Sequence, residues 1–363
     1  MFIVLLTTLF MLIPAAYLYT RQPQFGQVPD EAEFRNRKLT SPFADGEFSN
    51  QVYTPTLTGE QNRFVALAQF LFGKDENAIP AIALPSKKTD LHALDKAQNV
   101  VVWMGHSSYF LQVNGKRFLV DPVFSDNASP VPATNRTFKG SNIYTTGDIP
   151  EIDYLLITHD HWDHLDYPTV TGLKSKIRQI ITPLGVGNYF EQWGFNKAII
   201  HEGDWNSVIQ PEKDISIHIL PTRHFSGRLL AKNKTLWGSF AIITPGHNIY
   251  VGGDSGYGPH FKAIGERFGH FDLAILECGQ YNENWRFIHM MPEETAQAAE
   301  DLNARAMLPS HNSKFKLAHH PWNDPLNRVS KASQGKSYRL LTPMIGELVE
   351  QDNPAQRFSQ WWQ

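Results

Sequence analysis

Three textures of hydrophobic and polar positions follow one another along the chain. Residues 1–20, "MFIVLLTTLFMLIPAAYLYT", carry no charged side chain, and roughly 20 such residues can span a bilayer as a helix. Residues 21–95 are polar and broken by proline, which predicts a linker or an arm wrapped on the body. Inside that arm, "NRFVALAQFLFG" (62–73) spaces apolar residues as a helix does and ends on glycine. A short amphipathic helix is expected there. Residues 96–363 alternate short apolar runs with helical patterns, the texture of an α/β body.

Within that body, "VVWMGHSSYFLQVNGKRFLVDPVF" predicts strands around an Asn114-Gly115 hairpin turn. "DYLLITH" is a continuous apolar run of the kind buried on both faces of a sheet. Asp166 is expected to cap a helix with Pro168 in its first turn. "VGNYFEQWG" reads as a short helix stopped by Gly194, and "PEETAQAAEDLNA" as a longer one with acids at its N-terminus. The chain also echoes itself. "RFLVDPVF" then "IDYLLITH" resembles "NIYVGGDSGY" then "FDLAILEC". Each is a strand ending at an Asp (Asp121, Asp254), then a strand introduced by an Asp (Asp153, Asp272). Two similar β-rich halves would bring strand ends from both to one edge.

Composition narrows the classes. A chain of 363 residues can bury a full core. Its formal charge of -3 offers no basic field, so nucleic acid is not an expected partner. The single Cys278 excludes a disulfide framework and a cysteine-rich zinc module. No Lys or Arg precedes Arg21, and "PAAYLYT" is a poor cleavage site, so residues 1–20 read as an uncleaved anchor rather than a signal peptide. Arg21, Arg35, Arg37 and Lys38 would keep the bulk of the chain inside, though the side of the membrane stays open. The terminal "FSQWWQ" suits either an interface contact or packing on the body.

The chemistry gathers in "LLITHDHWDHLD", where His159, His161, Asp163 and His164 follow an apolar strand. Left without a partner, that many polar groups beside a buried strand carry a large desolvation cost. Neutral imidazoles and carboxylates are good ligands for zinc and similar cations. His159 and His161, alternate in an extended loop, can grip one ion; Asp163 and His164 can turn to a second. His224, Asp254 and His311 stand at other strand or loop ends and offer further ligands. Taken singly, each of these has an ordinary surface, turn or core reading.

The set resembles the metallo-β-lactamase superfamily, and more narrowly the phospholipase D that hydrolyses N-acyl-phosphatidylethanolamines, with its bacterial relatives. That narrower likeness rests on "VVWMGHSSYFLQ", "DPVFSDNASP", "ITHDHWDHLDY", "TPLG", "LWGSF", "GGDSGYGPHFKAIGERFGHFDLAIL" and "HMMPEE", and covers roughly residues 95 to 325. It implies a four-layer αβ/βα sandwich with metals at one edge. It assigns His159, His161 and His224 to a first zinc, Asp163, His164 and His311 to a second, and Asp254 to both, with iron or manganese as alternatives. Such a centre would activate water against a phosphodiester, and His289, matched in those relatives, would protonate the leaving oxygen or clamp phosphate. His106 and Asp121 would orient ligands; Tyr257 and Trp237 would line the pocket or simply pack. The expected substrate is a membrane phospholipid, with a lactone or soluble phosphodiester as alternatives on the same site and a non-catalytic scaffold as the remaining one.

Overall fold

The computed structural model describes residues 12–59 and 76–363. The predicted amphipathic helix at 62–73 and residues 1–11 of the apolar segment lie outside that range. Residues 12–20 are helical, and no helix among the described residues is long and apolar enough to cross a membrane.

The arm carries a single helical turn, Ala32–Arg35, and then a small ladder, β1 (Phe43–Ala44) against β2 (Glu47–Phe48). It is fastened by aromatic side chains: Phe25, Phe34 and Phe48 are each at most 2% exposed. The body is two seven-stranded sheets. The first contains β3 (Val100–Trp103), β4 (Tyr109–Val113), β5 (Lys116–Val120), β6 (Ile152–Leu156), β7 (Ile177–Pro183) and β8 (Ile200–Gly203). The second runs from β9 (Val208–Glu212) and β10 (Ile215–Leu220) through β11 (Ser239–Thr244), β12 (His247–Val251), β13 (Leu273–Glu277) and β14 (Ala306–Ser310) to β15 (Arg339–Leu340). A last strand, β16 (Leu348–Glu350), returns antiparallel to β3.

Both sheets are built alike, as the sequence echo implies. In each, an antiparallel meander is followed by parallel strands, the switch falling between β5 and β6 and between β12 and β13. The echoed acids do the same work. Asp153 accepts the Arg117 backbone N–H at 3.0 Å, and Asp272 accepts that of Asn248 at 2.9 Å. Each pins the start of the next parallel strand to its neighbour.

Alternation of side chains makes four layers from two sheets. Val101 and Trp103 face the second sheet, where Ile249, Val251, Leu273 and Ile275 meet them. Val102 and Met104 face outward with Leu155 and Ile180, under Val170, Tyr189 and Phe190. On the far side Tyr250, Ala274 and Leu276 pack beneath Phe261, Ala298, Leu302 and Val329. Helices therefore cover both outer faces, and the expected αβ/βα sandwich is what forms.

Local expectations fare unevenly. The Asn114-Gly115 turn is present with both residues at positive φ, 50° and 74°, as a two-residue hairpin requires. Helices span Gly187–Gln192 and Pro292–Asp301. Asp166 precedes the helix Tyr167–Gly172, but its carboxylate makes no cap hydrogen bond. It accepts the hydroxyls of Ser125 and Thr169 instead. Trp361 and Trp362 pack on the body: the indole N–H groups donate to Thr342 O at 3.2 Å and Asn327 Oδ1 at 2.9 Å.

Candidate metal centre

Parallel strands end together, so loops following them converge on one edge. From the first sheet, the loop after β6 delivers His159, His161, Asp163 and His164. From the second come His224 beyond β10, Asp254 beyond β12 and His311 directly after β14. All seven residues named from the sequence meet. Donor atoms of His159, His161, His224 and Asp254 lie within 4.8 Å of one another, and so do those of His106, Asp163, His164 and His311. Asp254 Oδ2 stands 3.3 Å from both His164 Nε2 and His311 Nε2, which joins the two groups.

The loop is shaped from below. Asp121 accepts the Thr158 backbone N–H and the His164 Nδ1–H, both at 2.8 Å. His224 Nδ1 is 2.9 Å from Ile288 O and donates to it, so the lone pair is on Nε2, 3.4 Å from His161 Nδ1. His106 Nε2 lies 2.9 Å from Asp163 Oδ2. Asp121 and His106 thus occupy the supporting positions expected of them. Tyr257 and Trp237 do not line this cavity: Tyr257 donates to Asp301, and Trp237 is buried with its N–H on Thr222 O.

Protonation suits ligation. Burial holds the His159 and His224 imidazoles well below their usual range, so both are neutral. Burial pushes Asp163 and Asp254 the other way, but the surrounding imidazoles, His164 foremost, outweigh it and keep both ionised. For His164 burial is likewise outweighed, by Asp254 and Asp163, and its pKa rises well above the ordinary value. Three carboxylates around one ring mark a place short of positive charge. Its Nε2 and Oδ1 of Asp254 are buried without a hydrogen-bond partner among the described residues, an unusual pairing unless something else fills the space. The neutral imidazoles of His159 and His224, the ionised carboxylates and the orphaned inward atoms fit a divalent metal site, where a cation would take the place of the proton that the carboxylates hold on His164.

A cavity of about 350 Å³ opens over this floor. Its upper wall is apolar: Leu57 from the arm, Phe225, Trp285, Ile288 and Leu317. The arm is held there by reciprocal hydrogen bonds, Asn50 Nδ2 to His224 O at 2.7 Å and His224 N to Asn50 Oδ1 at 3.1 Å. His289 also lines the cavity, its ring 5.0 Å from that of His224 and 5.2 Å from that of His311. Two residues at the centre were not expected. Glu277, the last residue of a fully buried strand, reaches His289. Arg228 is buried and donates to Asp160 O at 2.6 Å and to Leu165 O, clasping both ends of the ligand loop. A lone acid closing an apolar run was the available signal for Glu277; nothing local marks Arg228.

The sequence pattern of the family described as Beta-lactamase superfamily domain matches residues 116–312, more than half of the chain. The chain belongs to the metallo-β-lactamase superfamily. An uncharacterized protein of Mycobacterium tuberculosis is 35% identical over 92% of this chain and 90% of its own length. The N-acyl-phosphatidylethanolamine-hydrolyzing phospholipase D 1 of Caenorhabditis elegans is 30% identical over 68% of this chain and 74% of its own. Among solved structures, isothiocyanate hydrolase from Delia radicum gut bacteria is similar in fold, with a TM-score of 0.54 and 18% identity over 69% of this chain and 98% of that one. Superfamily and site together make the chain a metal-dependent hydrolase with a His/Asp centre.

Proposed function

We propose that the chain is a dinuclear phosphodiesterase of phospholipase D type that cleaves N-acyl-phosphatidylethanolamine-like lipids. One observation carries this: the same cavity joins a carboxylate–imidazole floor to an apolar wall of Leu57, Phe225, Trp285, Ile288 and Leu317. A phosphodiester bearing long acyl chains needs both surfaces. The activity named for the Caenorhabditis elegans relative supports the reading.

In this proposal His159, His161 and His224 hold one cation, Asp163, His164 and His311 another, and Asp254 serves both. Zinc suits the donors, and iron or manganese meets the same set. When bound, such cations supply positive charge beside the phosphoryl oxygens and make a water more acidic. The chain does the rest. The wall holds acyl groups and keeps bulk water out, His106 keeps Asp163 in place, and His289 stands at the cavity edge to meet the leaving oxygen.

A membrane partner belongs to the same proposal. Leu12, Ile13 and Leu18 of the helical residues 12–20 are 59%, 66% and 68% exposed, and Leu230 is fully exposed on the loop after His224. Exposed aliphatic side chains of this kind favour lipid contact. Full-length chain should sediment with membranes after an alkaline carbonate wash; recovery in the soluble fraction would refute it.

The deciding experiment counts metal per purified chain and measures N-acylethanolamine released from its phospholipid, with Asp254→Asn as control. About two metals and turnover abolished in the variant are expected. Two metals without lipid cleavage would overturn the substrate and turn attention to lactones or soluble phosphodiesters.

A further inference from the structure

Glu277 closes β13, a strand whose five residues are all buried. Its side chain is 1% exposed, and a carboxyl group so placed is costly unless its oxygens are engaged. Both are. Oε1 accepts the Met290 backbone N–H at 2.6 Å, and Oε2 lies 2.8 Å from Nδ1 of His289. Because Met290 follows His289 directly, one carboxyl group grips both the backbone and the ring of the same turn. The ring is sandwiched besides: nearly parallel to His311, at 13°, and edge-on to His224. Its second nitrogen, Nε2, has no hydrogen-bond partner among the described residues and belongs to a ring that lines the cavity.

We propose that Glu277 is a positioning residue that fixes the orientation and hydrogen-bonding state of His289, reserving Nε2 for the leaving oxygen of the substrate. The inference rests on the phosphodiesterase reading and extends it to a residue outside the metal ligands. The physical reason lies in the shared proton. With one proton held in the short Oε2–Nδ1 hydrogen bond, Nε2–H can be given away and a neutral imidazole remains. Without that proton, the same transfer would leave an imidazolate, which is far more basic and correspondingly unfavourable.

The step balances simply. The bond from phosphorus to the leaving oxygen breaks and its electron pair stays with that oxygen. The proton moves from Nε2 to it, and the N–H electron pair stays on nitrogen. The oxygen of water forms the new bond to phosphorus, and a proton released from that water restores Nε2 through solvent.

Two substitutions separate orientation from proton sharing. Glu277→Ala frees the ring. Glu277→Gln preserves shape, but the Met290 N–H must keep an acceptor, so the amide oxygen stays on it. The amide N–H then faces Nδ1 and offers a proton that it cannot give up.

The test compares two phosphodiesters that differ only in the leaving group, 4-nitrophenoxide or an alkoxide. A good leaving group needs no acid, whereas an alkoxide does. In both variants the alkyl-to-aryl ratio of kcat is expected to fall about 100-fold with KM little changed. Equal losses on the two esters would overturn the proposal. So would loss of metal from Glu277→Gln, since the residue would then be supporting the ligands.

A readout independent of turnover uses nitrogen-15-labelled histidine, with the His289 signals assigned through His289→Gln. Nδ1 of His289 should change from a proton-sharing to a bare, accepting nitrogen in Glu277→Gln. An unchanged spectrum would overturn the pairing. Should the wild-type chain cleave neither ester, the phosphodiesterase reading fails, and the nitrogen spectra still decide whether Glu277 governs the ring.

Discussion

Asp121 and His164 are joined by a 2.8 Å hydrogen bond from Nδ1 to Oδ2, and the other carboxylate oxygen takes the Thr158 backbone N–H. This one side chain therefore fixes both the start of the ligand loop and the tautomer of a proposed ligand. In Asp121→Asn an amide N–H can turn toward Nδ1, which moves the ring proton to Nε2. That is the nitrogen facing Asp163 and Asp254. Metal affinity should fall about 10- to 100-fold, as removal of supporting partners generally does. Competition against a chromogenic chelator measures it, and unchanged affinity would show that the bond has no influence on the centre.

Arg228 should matter to stability as much as to the site. Its guanidinium donates to Asp160 O, to Leu165 O and, at 3.1 Å, to Gln24 O of the arm, and lies over the Tyr189 ring. Arg228→Met leaves three carbonyls without that donor. A loss of about 2–4 kcal/mol is expected, read as a lower urea midpoint at constant m-value. A midpoint matching that of the wild type would mean that the loop holds itself.

Glu202 gives a pH dependence well away from the centre. Burial raises its pKa from an ordinary 4.5 to about 7, with Glu33 adding to the effect. The folded chain thus binds a proton that the unfolded chain has already lost between those values. Stability should therefore decline as pH rises from about 4.5 to 7. Glu202→Gln keeps an acceptor for the Gly187 N–H, now 2.7 Å from Oε1, and carries no charge at any pH. The variant should gain on the wild type by about 1–3 kcal/mol between pH 5 and 8, seen in paired thermal melts. A constant difference across that range would contradict the assignment.

Leu57 tests the wall. It enters the cavity from the arm and remains 43% exposed at its edge. Leu57→Ser should raise KM for long-chain substrates about tenfold, the scale of one buried aliphatic side chain, and leave short-chain diesters nearly unaffected. Equal KM values across chain lengths would place the acyl group elsewhere.

What could be read in the sequence follows from how far each signal reaches. His159 to His164 are legible because a buried strand and its polar loop are contiguous, and Asp254 stands out beside Gly252 and Gly253. The sheet architecture is legible through alternation, and even the doubled plan shows in the placing of Asp153 and Asp272. Asp166 stands at the cap position as read, but its carboxylate is taken by hydroxyls, one from Thr169 three residues on and one from Ser125, 41 residues away, and only the second is hidden from the local sequence. Arg228 and the Asn50–His224 pairing escape for the same reason: their partners are distant in the chain and only folding makes them neighbours. Glu277 is intermediate. An acid at the end of an all-apolar strand is a local anomaly, but its meaning depends on His289.

The arm's attachment at Asn50 and His224 divides the labour of the molecule. The proposed ligands lie at strand ends within residues 100–311, whereas Leu57 comes from a segment before the first strand of the body. Reactivity and reach are therefore written in separate stretches of chain. A change at Leu57 can redraw which molecules enter, whereas Asn50 and Gln24 of the same arm reach the centre through His224 and Arg228, so the arm sets the aperture and braces the floor at different points.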